Sequence, residues 1–180
     1  MVFVDDCIFC NIAQKKIQSS VVYEDENNIA ILDIHPANKG HTLVIPKSHV
    51  VDILSMGDEQ TKDLFDAVRR VAHGVKRATN SDAFNIVENN GVSAGQAIPH
   101  VHIHIIPRFE NDGLSLGVFR QGKYEGNEML TMRDAIKAKV PEKKVERKEE
   151  KIEEKIEKPK NAEKRSPHRT RSIRKEIDIA

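Results

Sequence analysis

Seven consecutive residues, His100-Val101-His102-Ile103-His104-Ile105-Ile106, constrain the fold more than anything else in the chain. In an extended strand, residues two apart share a face. Three imidazoles then fall on one side, and Val101, Ile103 and Ile105 on the other. The apolar side must be buried against a core, and the histidine side must meet something polar or reactive. The pattern predicts a strand over 100–106 that carries chemistry on one face.

The rest of the first 140 residues supplies partners for such a strand. Residues 20–34 (SVVYEDENNIAILDI) read as two short strands around the turn formers Glu26-Asn27-Asn28. His41 to Pro46 reads as a third, introduced by Gly40 and closed by Pro46, and Ala83 to Glu88 as a fourth. Between them, Leu64, Phe65, Val68, Val71, Ala72 and Val75 recur at helical spacing, which predicts a helix over 58–79 with Asp58 as its N-cap. The order β-β-β-α-β-β holds a meander and one long crossover. It predicts an α+β domain with a largely antiparallel sheet over residues 1–140.

Composition changes after Val140. The last 40 residues hold 14 Lys and Arg against 10 Asp and Glu, leaving 15 against 18 before them. The net charge of +1 thus hides an acidic body and a basic extension. Residues 142–158 carry seven acids and seven bases and, wound as a helix, sort into an acidic face, a basic face and a thin stripe of Val145, Ile152 and Ile156. The repeated EEKI unit alone also produces that sorting. Pro159 ends the segment, and 160–180 reads as a basic tail with little to fold around. Such a tail can make weak, salt-dependent contacts with nucleic acid or an acidic protein, although it has no aromatic residue to stack on bases. No apolar run is long enough to span a bilayer, and MVFVDDCIFC lacks the features of a signal peptide, so a cytoplasmic protein without membrane contact is expected.

Three readings of the histidine stripe are open: a solvated face, a catalytic metal site, or a nucleophile with phosphate-binding partners. Asn89, Asn90, Gly91, Gly95 and Gln96 immediately before it offer amide donors of the kind that cradle phosphate oxygens. No Asp or Glu lies between Asn89 and Arg108 to complete a catalytic zinc site. The phosphate reading is favoured. Cys7 and Cys10, spaced C-x-x-C, are half a zinc site, a redox pair or two buried thiols.

The complete stripe, C-I-F-C-N-I near the start, D-I-H-P-A-N-K-G-H-T-L-V-I-P-K-S-H in the middle and G-Q-A-I-P before the histidines occur in an order that resembles the histidine-triad (HIT) superfamily. The resemblance covers about residues 7–137, and I-P-R-F-E-N-D-G is more similar to its bacterial and archaeal branch, with a flavour of dinucleoside-polyphosphate hydrolases. It implies a five-stranded antiparallel sheet with two helices, dimerising into ten continuous strands. It implies a purine nucleotide as ligand and cleavage at the α-phosphate of a phosphoramidate, an adenylate or a dinucleoside polyphosphate, with no metal in that step.

Residue by residue, the resemblance implies His102 as nucleophile, forming a nucleotidyl-imidazole, and His104 as a phosphate and leaving-group contact. His41 matches an additional histidine behind the triad. Asn89, Gly95 and Gln96 match the phosphate loop, Asp33 the ribose-binding acid, and Ile34 and Leu43 parts of the nucleoside pocket. His49 and His100 match residues that complete a structural zinc site with Cys7 and Cys10 in some relatives. Ala97 departs from the pattern, since several relatives place Ser or Thr there beside the leaving group. The alternative function is a nucleotide-binding signalling or interaction module with vestigial hydrolysis.

Overall fold

The computed structural model describes residues 1–115 and 124–141. The expected helix at 142–158 and the basic tail lie outside the described residues. Five strands, β1 (Val21–Glu24), β2 (Asn28–Leu32), β3 (Thr42–Pro46), β4 (Ala83–Glu88) and β5 (Ile103–Arg108), form one sheet in the order β1-β2-β3-β5-β4. Every pairing is antiparallel. The one long crossover runs from β3 through helix α2 (Asp58–Thr79) to the edge strand β4, and β5 returns between β3 and β4. This is the α+β architecture that the strand order predicts.

The two faces of the sheet are written by alternation. Ala30, Val44, Ile103 and Ile105, with Val101 just ahead of β5, pack against Leu64, Ala67, Val68, Val71, Ala72 and Val75 of α2. Ile29, Ile31, Leu43 and Ile45 point the other way, onto the short helix α1 (Ile8–Ala13) with Cys7, Phe9, Cys10 and Ile12. Directly paired residues share a face. Ile31 pairs with Leu43 and Leu43 with His104, so His104 emerges on the α1 side.

Helix α2 has the predicted bounds, but Gly57 occupies its N-cap and Asp58 is the first helical residue. Asp58 and Glu59 in the first turn and Lys76 and Arg77 in the last complement the helix dipole. Asn80 closes the helix in the left-handed conformation at φ 52°. The β1–β2 turn is fixed by Asp25, whose Oδ1 accepts from the N–H groups of Asn27 at 2.9 Å and Asn28 at 2.6 Å.

The main departure concerns the histidine strand. Pairing of β5 with both neighbours begins at Ile103 and continues beyond 106 to Arg108 on the β4 side. His100 and His102 therefore stand ahead of the ladder, and only His104 lies within it. Pro107 is accommodated beyond the last residue paired with β3, Ile105.

The chain divides into two compact units, Met1–Arg120 and Gln121–Ala180. The second contains helix α3 (Glu128–Lys137), on which Met129, Met132 and Ile136 are exposed. Among the described residues, no helix is long and apolar enough to cross a membrane.

Candidate active site

His102 is almost fully buried, and its Nδ1 lies 2.7 Å from the carbonyl oxygen of His100. A carbonyl only accepts, so Nδ1 carries a proton, and in the neutral ring the lone pair lies on Nε2. Neutral imidazole with one nitrogen bare and the other held is the nucleophilic form. The His104 ring stands 5.0 Å from that of His102, centroid to centroid.

Behind His104, the Nε2 of His41 lies 3.0 Å from His104 Nδ1. The Ala37 N–H donates to His41 Nδ1 at 3.1 Å. His41 therefore carries its proton on Nε2 and donates to His104, and the His104 proton sits on Nε2, available to a ligand. Burial lowers the His104 pKa to about 4, with His102 and His41 adding repulsion. Burial also lowers His41, against the pull of Asp33. Both rings are neutral near pH 7.

Asp33 lies beside this relay, its Oδ2 3.4 Å from His41 Nδ1 and its Oδ1 accepting from the His35 N–H at 2.8 Å. Leu43 is buried on the His104 face, while Ile34 is almost fully exposed. Asn89 follows the end of β4. The loop after it folds on itself: Ala94 and Gln96 donate to the Gly91 carbonyl and Gly95 to that of Val92. Gln96 takes the Gly91 N–H on Oε1 at 2.8 Å and donates Nε2 to the Val51 carbonyl at 2.7 Å. One amide hydrogen of Gln96 remains beyond these two bonds. Gly91 and Gly95 adopt φ of 84° and 93°, which the tight turn demands.

The second cluster joins Cys7 and Cys10, at the start of α1, to His49 and His100. Their ligand atoms all lie within 4.8 Å of one another. Cys7 Sγ is 3.3 Å from His100 Nδ1, Cys10 Sγ is 3.4 Å from His49 Nδ1, and Cys10 Sγ is 3.7 Å from His100 Nδ1. Zinc bonds of about 2.0–2.3 Å in tetrahedral geometry separate ligand atoms by about 3.3–3.8 Å, so this donor set fits the ion. His100 Nε2 lies 2.9 Å from the Pro46 carbonyl, which leaves Nδ1 as the ligating nitrogen.

Several contributors carry no motif of their own. Phe9 lies against both His100 and His102, and Ala37, Pro46 and Val51 act through backbone groups. Only Phe9 leaves a trace in the sequence, as the aromatic residue inside C-x-x-C. Glu88, at the end of β4, is a further buried group. Desolvation raises its carboxyl above the usual range, and among the described residues its Oε1 has no hydrogen-bond partner.

The HIT domain family matches residues 14–111, more than half of the chain. The chain belongs to the HIT family. This HIT domain is 49% identical, over 107 residues, to an uncharacterized HIT-like protein of Methanocaldococcus jannaschii, covering 59% of this chain and 82% of that protein. It is 40% identical over 110 residues to the adenylylsulfatase HINT3 of Arabidopsis thaliana, covering 61% of this chain and 56% of the relative. Among solved structures it is similar to a HIT family member from Bacillus subtilis, with a TM-score of 0.72 and 37% identity over 77% of this chain and all 100% of that one. A Zn-bound histidine triad family protein from Mycobacterium smegmatis gives a TM-score of 0.59 and 35% identity, covering 74% of this chain and 94% of that one.

Proposed function

We propose that this HIT domain is a nucleotide hydrolase or nucleotidyl transferase that cleaves at the α-phosphate of a nucleoside 5′-phosphate derivative. One observation carries the reading: His102 donates from Nδ1 to the His100 carbonyl and so keeps Nε2 free to attack. Nε2 bonds to the α-phosphorus as the bond to the leaving group breaks. Water then hydrolyses the nucleotidyl-imidazole and releases the nucleoside monophosphate. The His104 Nε2–H donates to a nonbridging or leaving oxygen, and Asn89, Gly95 and the remaining Gln96 hydrogen assist it. Asp33 takes the ribose, with Leu43 and Ile34 flanking a purine. Imidazole supplies both nucleophile and donors, so the step is written without a metal.

Ala97 offers no hydroxyl to protonate a departing amine. Leaving groups that depart as stable anions, such as sulfate or a polyphosphate, are favoured over amines on that ground. The Arabidopsis relative named as an adenylylsulfatase agrees with this preference.

Cys7, Cys10, His49 and His100 would hold a zinc ion, whose contribution is structural: it ties the N-terminal segment to the sheet. The Zn-bound mycobacterial relative supports this assignment. The β4 edge supports a homodimer, because Phe84 and Ile86 remain 38% and 48% exposed beside Phe65. Pairing β4 with its copy would cover them and remove an open edge.

The test follows AMP release from adenylylsulfate, diadenosine tetraphosphate and adenosine phosphoramidate by wild type and His102→Asn. Turnover by wild type, a trapped adenylyl-protein adduct and loss of both in the variant are expected. Folded wild type that binds AMP yet turns over none of the three, and forms no adduct, would instead identify a nucleotide-binding module.

A further inference from the structure

The main chain carrying the nucleophile is not held by the sheet. Ile103 is the first residue of its strand paired with β3 and with β4. Ahead of it, Val101 N–H donates to the Val50 carbonyl at 2.7 Å and His100 N–H to that of Ile98 at 2.8 Å. The remaining restraint comes from side chains, and it converges on His100.

His100 is wholly buried. Its ring lies within the Cys7–Cys10–His49 cluster on one side and on the Pro46 carbonyl on the other. Its own carbonyl is the acceptor that orients His102. One residue thus has its side chain in the metal-binding set and its peptide group on the nucleophile.

Phe9 makes a second connection. It sits between the two cysteines at the start of α1, with its ring edge-on to His100 at 5.8 Å and tilted against His102 at 5.1 Å. His49 makes a third, because its ring meets that of His100 at 4.8 Å and the next residue, Val50, holds Val101.

We propose that the Cys7–Cys10–His49–His100 centre, through Phe9 and the His100 peptide group, positions His102 for attack. The proposal rests on the zinc assignment above. A cation held by the four ligands would fix the His100 carbonyl and the Phe9 ring together. These two then hold His102 with its proton on Nδ1 and its Nε2 lone pair facing the substrate. With the centre loosened, the Nδ1–H bond weakens, the other tautomer is populated, and Nε2 loses its lone pair in that fraction. The nucleoside side of the site, around Asp33 and Leu43, contains none of these ligands. Substrate affinity should therefore change far less than turnover. Phe9 and His100 are positioning residues in this scheme, acting through His102.

The experiment uses the full chain in three forms: zinc-loaded, cadmium-exchanged, and zinc-loaded Phe9→Leu. Metal content is measured first. The His102 ring nitrogens are then observed by long-range ¹H–¹⁵N NMR, assigned by their disappearance in His102→Asn. Zinc-loaded protein should show a single Nδ1–H tautomer. Cadmium forms longer bonds to sulfur, and its exchange should shift the His102 ring signals while the amide spectrum shows an intact fold. Phe9→Leu should keep its metal, show mixed tautomers, and lose about tenfold in kcat with KM within about twofold. Unchanged His102 signals in the cadmium form and in Phe9→Leu, at full metal content, would overturn the coupling and leave the zinc assignment standing. Folded protein that takes up no zinc would overturn both.

Discussion

His41 Nε2 lies 3.0 Å from His104 Nδ1, and the Ala37 N–H occupies the far nitrogen of His41 at 3.1 Å. A backbone amide that never changes protonation thereby dictates, through two rings, which nitrogen of His104 faces a ligand with a proton. The relay needs no charged histidine.

His41→Leu should therefore lower kcat by about 10²-fold, since His104 loses the donor that fixes its tautomer. His41→Gln can still donate an amide hydrogen and should recover part of the loss. Steady-state kinetics on the preferred substrate checks both, and equal activity in Leu and Gln variants would contradict the relay.

Acid should destabilise the folded state through its buried histidines, beginning just below neutrality. In the folded chain burial lowers His104 to about 4 and holds His41 below its ordinary value of 6.5. Between about pH 6.5 and 4 the unfolded chain binds protons that the folded chain refuses, so stability falls as pH falls through that window and levels below it. Urea midpoints at pH 7.5 and 5.0 measure the slope. His104→Gln should reduce it, leaving the share carried by His41 and by His100, which burial also lowers to about 4.

Gly40 precedes His41 with φ at +92°, and a Cβ there would collide with Cγ2 of Thr79 on α2. Gly40→Ala should cost about 2–3 kcal/mol, combining left-handed strain with the clash. Adding Thr79→Ala removes only the clash and should restore about half. Equilibrium unfolding of the two variants separates the terms.

Ile86 on the β4 edge is half exposed. Ile86→Lys should convert a dimer to a monomer in analytical ultracentrifugation without changing the far-ultraviolet circular dichroism. Wild type sedimenting as a single chain would exclude the dimer.

Much of this architecture is legible in the chain because its periodicities are undiluted. The α2 stripe from Leu64 to Val75 has no competing pattern, and both ends of the helix fall where the spacing predicts. Val101, Ile103 and Ile105 do face the helix-side core. The start of β5 was not legible, because alternation reports which way side chains point and not whether a neighbouring strand reaches far enough to pair. His100 and His102 alternate with the strand yet precede its ladder. The first-turn helix at Phe9 and Cys10 was hidden by its brevity, since six residues give less than two turns of pattern. Ala37 and Pro46 act through their peptide groups, which every residue type possesses, so nothing in their identity marks them.

The alternation along β5 also limits how this gene can change. Ile103 and Ile105 build the core with the same stretch of backbone that presents His104, and on β3 Val44 meets Ile103 and Leu43 meets His104 in register. A one-residue insertion or deletion there would turn every side chain over, placing imidazole in the core and isoleucine in the site. Substitutions can be sampled one at a time along this segment, but its length cannot drift. Descendants of the chain should vary in length at turns such as Asn111–Gly113 and keep the spacing from His100 to Arg108 unaltered.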